Sequence, residues 1–140
     1  PGVFLTGQVP RLTPFEPGDL GLFRDCSGKD VDITLDDQSL VLVTGRGLVV
    51  VLGCCHAGLV NTLLHIARVT GRHDVHAVVG GTHLGFCGQE QLDRTIAAVR
   101  GMGIKKLAAA HCTGFSAAAR MSRELPKEFQ VAMVGYTLEV

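Results

Sequence analysis

Three of the chain's six histidines occupy the same kind of position. His56 lies in Gly53-Cys54-Cys55-His56-Ala57-Gly58, His83 in Gly80-Gly81-Thr82-His83-Leu84, and His111 in His111-Cys112-Thr113-Gly114. Each follows a short apolar run and precedes a stretch with helical periodicity. Glycine lets the backbone turn sharply, so each imidazole is expected just past the end of a strand. In α/β proteins that is where sites are built. Three imidazoles delivered to one sheet edge from distant sequence are suited to holding a metal ion.

The elements that must position them are readable in outline. Val3 to Thr6 reads as a short strand, and residues 10–30, with Pro10, Pro14 and Pro17, read as a long loop. Val31 to Leu35 alternates apolar and polar residues, Asp36-Asp37-Gln38 is a turn, and Leu40 to Thr44 is a strand. Gly45-Arg46-Gly47 turns the chain into the apolar run Leu48 to Leu52. Together these predict an antiparallel meander feeding the His56 loop. From there the texture alternates. A helix over Val60 to Val69 places Val60, Leu63, Leu64 and Ala67 on one face. Strands are expected at His76 to Val79 and Lys106 to Ala110. Helices are expected from Gln89 to Arg100, stopped by Gly101, and from Ser116 to Leu125, stopped by Pro126. Phe129 to Val134 and Tyr136 to Val140 read as closing strands. Strand–helix repetition implies right-handed crossovers and a layered α/β sandwich in one domain over residues 1–140.

Composition excludes several classes. The chain is 46% hydrophobic, enough to bury a core, and its formal net charge is zero. Without a basic stripe, nucleic acid is not an expected partner. No apolar run approaches the roughly 18 residues of a membrane span, and nothing at the start resembles a signal peptide. Five cysteines, two of them adjacent, make a poor disulfide framework and read as reduced thiols of a cytoplasmic protein.

Several short segments occur together in order: Thr6-Gly7-Gln8-Val9-Pro10-Arg11, Asp36-Asp37-Gln38-Ser39-Leu40, Gly53 to Thr62, Gly80 to Leu84, and His111 to Gly114. With them the chain resembles the metallo-β-lactamase superfamily, and within it the dihydropterin-methyl-ribofuranosylaminobenzene phosphate synthase-like branch. The resemblance implies an αββα sandwich with one or two metal ions at one edge, usually zinc, with iron or manganese as alternatives. It places His56, His83 and His111 as metal ligands, His83 standing where many members carry a bridging Asp. Cys55, Cys112, Thr113 and Gly114 adjoin them as candidates for supporting the ligands or touching substrate. The superfamily's His-x-His-x-Asp-His cluster is missing from this sequence. The chain is therefore expected to correspond to the C-terminal half of the fold.

On that resemblance the expected activity is metal-dependent hydrolysis. A metal-bound hydroxide would attack an ester, amide or phosphoester of a small molecule, such as a phosphorylated pterin-type compound. The alternative is a non-catalytic half-domain that self-associates or pairs with a complementing N-terminal half, because an uncovered apolar face seeks a partner. A third reading is a thiol redox or metal-sensing module using Cys54, Cys55 and Cys112. The blander readings are a helix cap for Thr113-Gly114, a turn for Asp36-Asp37, capping or first-turn roles for Asn61 and Thr62, a solvent or packing role for His65, and surface positions for His73 and His76.

Overall fold

The computed structural model describes residues 2–19 and 21–140; Leu20, inside the expected loop, and Pro1 lie outside them. Among the described residues one six-stranded sheet runs in the spatial order β1 to β6. Strands β1 (Val3–Leu5), β2 (Ser39–Thr44) and β3 (Gly47–Leu52) pair antiparallel. Strands β4 (Val75–Gly81), β5 (Lys106–Ala110) and β6 (Phe129–Val131) continue parallel to β3. Helices α1 (Leu59–Thr70), α2 (Gln89–Gly101) and α3 (Phe115–Glu124) fill the crossovers.

Sequence order equals spatial order, so every right-handed crossover steps the same way and stacks its helix on the same face. The core lies between that face and the helices, where Val50, Val78 and Leu107 meet Ile66, Ile96 and Met121. Burying each of these side chains contributes roughly 1.5–3 kcal/mol. Side chains alternate along a strand, so the other face presents Val3, Leu5, Leu40, Leu42, Val51 and Val79. Of these Val3 and Leu5 are more than half exposed. An apolar sheet face without a helix layer is half of a sandwich.

Three expectations are corrected. Val31 to Leu35 is not a strand. Val31 makes one bridge pair with Phe23, and the Asp32 carboxylate takes the Thr34 N–H at 2.8 Å. That local turn competes with a ladder. Ile33 and Leu35 stay about half exposed, so the alternation buries no face. The meander instead uses β1 against β2. Tyr136 to Val140 forms no strand either. The Tyr136 N–H bonds the Met133 carbonyl in a turn, Gly135 has a φ of 90°, and β6 stops at Val131. The buried face of α1 is rotated from the expected one. Leu59, Val60, Leu63 and Ile66 are buried while Leu64 is exposed.

Loop 6–19 is anchored to the N-terminus of α1. Glu16 is buried, and its two carboxylate oxygens accept the N–H groups of Val60 (2.9 Å) and Asn61 (2.7 Å). The Asn61 side chain returns the contact, accepting from the N–H groups of Leu12 (2.9 Å) and Thr13 (2.8 Å). Asn61 is thus a clamp on the loop rather than a simple first-turn residue. Gly58 makes room, since a Cβ there would lie 2.3 Å from the Glu16 carboxyl carbon. Glu16→Ala should cost about 1–3 kcal/mol for each stranded N–H, read as a lower urea midpoint. Burial holds the Glu16 carboxyl above its ordinary 4.5, against hydrogen bonds from Val60, Asn61 and Thr13. The folded chain therefore keeps this proton more tightly than the unfolded one. The stability it contributes is present below 4.5 and is lost as pH rises through the raised folded value. Over that rise the wild type should lose stability relative to Glu16→Gln; the opposite slope would contradict the assignment.

Candidate metal centre

The loops after β3, β4 and β5 meet at one edge because those strands are parallel. Three non-glycine residues in them have left-handed backbones: Cys55 (φ 63°), His83 (φ 55°) and His111 (φ 53°). Each such position costs on the order of 1–3 kcal/mol and persists only where its surroundings fix it. The fixing groups are visible. Thr82 Oγ1 donates to Thr113 Oγ1 at 2.9 Å, and Thr113 Oγ1 donates to the Ala110 carbonyl at 2.7 Å. Asp37 accepts the Ala57 N–H at 2.9 Å and so holds the His56 loop, beyond the turn role read from sequence. Gly81 lets the loops close, since a Cβ there would stand 2.6 Å from the Gly53 carbonyl oxygen and 2.7 Å from Cys112 Sγ.

His56 and His83 come together, their ring centroids 4.3 Å apart. Asp19 joins them, with Oδ2 3.4 Å from His83 Nε2. One ligand atom from each of the three lies within 4.8 Å of the others. They line a cavity of roughly 230 Å³ with Glu16, Phe86 and Gln91. His83 Nδ1 and Nε2 and His56 Nδ1 are buried without a hydrogen-bond partner. The 3.4 Å approach of Asp19 is an ion-pair distance that lacks hydrogen-bond geometry. Leaving such groups unpaired costs about 1–3 kcal/mol each, so unsatisfied nitrogens facing a carboxylate are suited to a cation. Protonation states agree. Burial, then repulsion from His56, lowers the His83 pKa below 6.5, with Asp19 opposing. The Gly21 N–H, 2.8 Å away, is the main cause of the lowered Asp19 pKa. Neutral imidazole beside ionised carboxylate is the form a metal needs.

His111 falls outside that three-residue group. Its Nε2 lies 3.2 Å from Cys54 Sγ, and Cys112 Sγ sits close by, donating to the Cys54 carbonyl at 3.2 Å. These three form a second group with ligand atoms within 4.8 Å. Cys55 points the other way, into the core, bonded to Thr62 Oγ1 at 3.4 Å; burial pushes its thiol far up, so it is inert. Thr113 spends its hydroxyl on the loop stitch, and Gly114 caps α3. His65 contacts the Thr6 carbonyl at 3.2 Å, His73 is exposed and His76 is half-buried. Sequence reasoning missed Asp19, one acid in a Pro/Gly-rich loop with no periodicity to mark it, and missed the anchor Glu16.

No family model matches the chain. It is 33% identical over 134 residues to the 7,8-dihydropterin-6-methyl-4-(beta-D-ribofuranosyl)-aminobenzene-5'-phosphate synthase of Methanocaldococcus jannaschii, covering 93% of this chain and 46% of that protein. It superposes with a TM-score of 0.75 and 29% identity on the crystal structure of a metal-dependent hydrolase of the β-lactamase superfamily, covering 95% of this chain and 56% of that one. The chain thus spans about half the length of the relatives it matches. It carries the metallo-β-lactamase superfamily fold over that half and is similar in sequence to the pterin-linked synthase.

Manganese prefers oxygen and nitrogen to thiolate, so it probes the Asp19–His56–His83 group selectively. At a hundredfold excess over Kd it should stabilise the chain by roughly 2.7 kcal/mol, a rise of several degrees in Tm. His56→Ala and His83→Ala should abolish the rise; an equal rise in both variants would remove these residues from the site.

Proposed function

We propose that this chain supplies a metal-binding part of a metallo-β-lactamase-type active centre acting at an ester, amide or phosphoester linkage of a small molecule. The substrate class we favour is a phosphorylated pterin-type compound, which the name of the similar synthase suggests. That name also leaves room for bond formation as well as hydrolysis. One observation carries the reading: the buried, unpartnered nitrogens of His56 and His83 face Asp19 in a cavity. Asp19, His56 and His83 would hold the cation. The donor set of two nitrogens and one oxygen suits zinc, with iron or manganese next. When bound, such an ion acts as a Lewis acid and makes water more acidic.

The chain's own residues prepare that chemistry. Asp37 fixes the His56 loop through the Ala57 N–H. Asp19 faces His83 and sets the local charge. The Phe86 ring, itself largely exposed, lies 4.9 Å from the His83 ring and flanks one side of it. Gln91 on the cavity wall offers polar contacts to a substrate. His111, read from sequence as the third ligand, stands in this proposal beside the centre rather than in it.

The open sheet face favours a companion reading: the half-site works only when paired. Val3 and Leu5, exposed, with the half-buried Leu40, Leu42, Val51 and Val79 beside them, offer an apolar surface to a second copy of the chain or to a complementing N-terminal half. Among the described residues no helix is long and apolar enough to cross a membrane. The cysteines are free, which supports a reducing, cytoplasmic setting.

The test mixes the chain with the N-terminal portion of the archaeal relative and follows turnover of generic phosphodiesters and esters with added zinc. Turnover is expected in the mixture, with a stable complex by analytical ultracentrifugation, and should fall at least roughly 10-fold in Asp19→Asn. Turnover unaffected by chelator, or by Asp19→Asn, would defeat the proposal.

A further inference from the structure

We propose that the apolar groove between α3 and β6 binds a flat heteroaromatic ring, held against Phe115 and Met133, and so takes the ring-bearing end of the substrate. The inference rests on the proposed function in one respect, that the ring belongs to the substrate. The groove has a volume of roughly 370 Å³ and is lined by Ala110, Phe115, Ala118, Ser122, Val131 and Met133, among others. That volume falls among small-molecule pockets, about 300–1,000 Å³.

The sheet register fixes which side the groove is on. Ala109 belongs to the core between sheet and helices, and Val131 pairs with it across the ladder. Directly paired residues share a face. The groove therefore lies on the helix side, opposite the open apolar face, and a layer completing the sandwich leaves it free.

Its chemistry selects the occupant. Phe115 is 89% exposed and Met133 74%, in a chain that has no Trp, one Tyr and six Phe. A benzene ring and a thioether grip a flat ring by stacking and by sulfur–aromatic contact. The rim supplies polar groups. β6 is the last strand of the sheet, and it bonds β5 through the Glu128 carbonyl and the Ala132 N–H. Residues alternate in a parallel ladder, so Val131 turns its N–H and C=O to the free edge. An adjacent donor and acceptor match a ring that carries nitrogen with amino or oxo groups. A protein partner fits less well. The exposed apolar side chains here, Phe115, Val131, Met133 and Val134, fall short of the roughly 800 Å² per partner that a stable interface takes.

The groove also adjoins the cavity of the candidate centre. A Cβ on Gly114, the residue before Phe115, would stand 2.8 Å from the Cα of Gly85, the residue before Phe86. The two turns are thus in contact, and a molecule with its ring on Phe115 can extend across them toward His83.

Fluorescence titration of pterin-6-carboxylate with the chain, in chelator and without added metal, tests this. Saturable quenching is expected. Phe115→Ala should weaken it by roughly 5- to 100-fold, the loss typical of one stacking ring, and Phe115→Tyr should restore it. Met133→Ala should weaken it too. Both side chains are exposed, so an unchanged Tm is expected in the variants. His83→Ala should bind the pterin as the wild type does. Ring binding that persists where manganese gives no stabilisation would defeat the proposed function and leave this site standing. No saturable binding, equal affinity in Phe115→Ala, or binding lost in His83→Ala instead would overturn the inference. So would a dimer, seen by analytical ultracentrifugation, that Phe115→Ala disperses and pterin does not.

Discussion

The carboxylate of Glu16 on the N-terminus of α1 is the contact on which the site depends. A helix leaves its first N–H groups unpaired and carries partial positive charge there. In most helices a neighbouring side chain meets that need; α1 is preceded by Gly58, which has none. Glu16, 44 residues before Val60 in sequence, meets it instead. Asn61 answers by holding the loop backbone at Leu12 and Thr13. The irregular segment is thereby fixed three residues before Asp19, and the acid is delivered to His83. A loop with few apolar contacts could not be placed this well by hydrophobic packing alone.

From that contact the rest of the edge follows. Parallel β3, β4 and β5 bring three loops to one line, and close approach at Gly81 presses them together. The left-handed backbones at Cys55, His83 and His111 turn side chains out of the paths they would take in an ordinary strand end. The result is two small groups of ligand-type atoms, one built of imidazole and carboxylate, the other of thiols and an imidazole. The opposite face of the sheet, apolar and without a helix layer, ties this edge to the question of what completes the sandwich.

The β2–β3 hairpin, the strand–helix repeats and the strand-end positions of His56, His83 and His111 were legible in the sequence, because glycine, period-two and period-3.6 patterns act locally. Lys106 to Ala110 was read to the residue, its run of small apolar side chains bounded by lysine and histidine. Val31 to Leu35 misled because its alternation is real, while the Asp32 side chain supplies a closer hydrogen bond than any strand does. The grouping of the site was not legible. No spacing rule says that His56 joins Asp19 while His111 joins Cys54. That division depends on side-chain direction at the strained positions, which only the packed loops determine. Glu16 and Asp19 sit in a proline-rich loop whose long-range partners leave no periodic trace.

The most direct measurement is anomalous diffraction at the zinc edge from crystals grown with zinc. The account predicts a peak bounded by Asp19, His56 and His83, lost in His83→Ala. Full-occupancy zinc elsewhere with none at these residues, or a peak undiminished by that substitution, would contradict it.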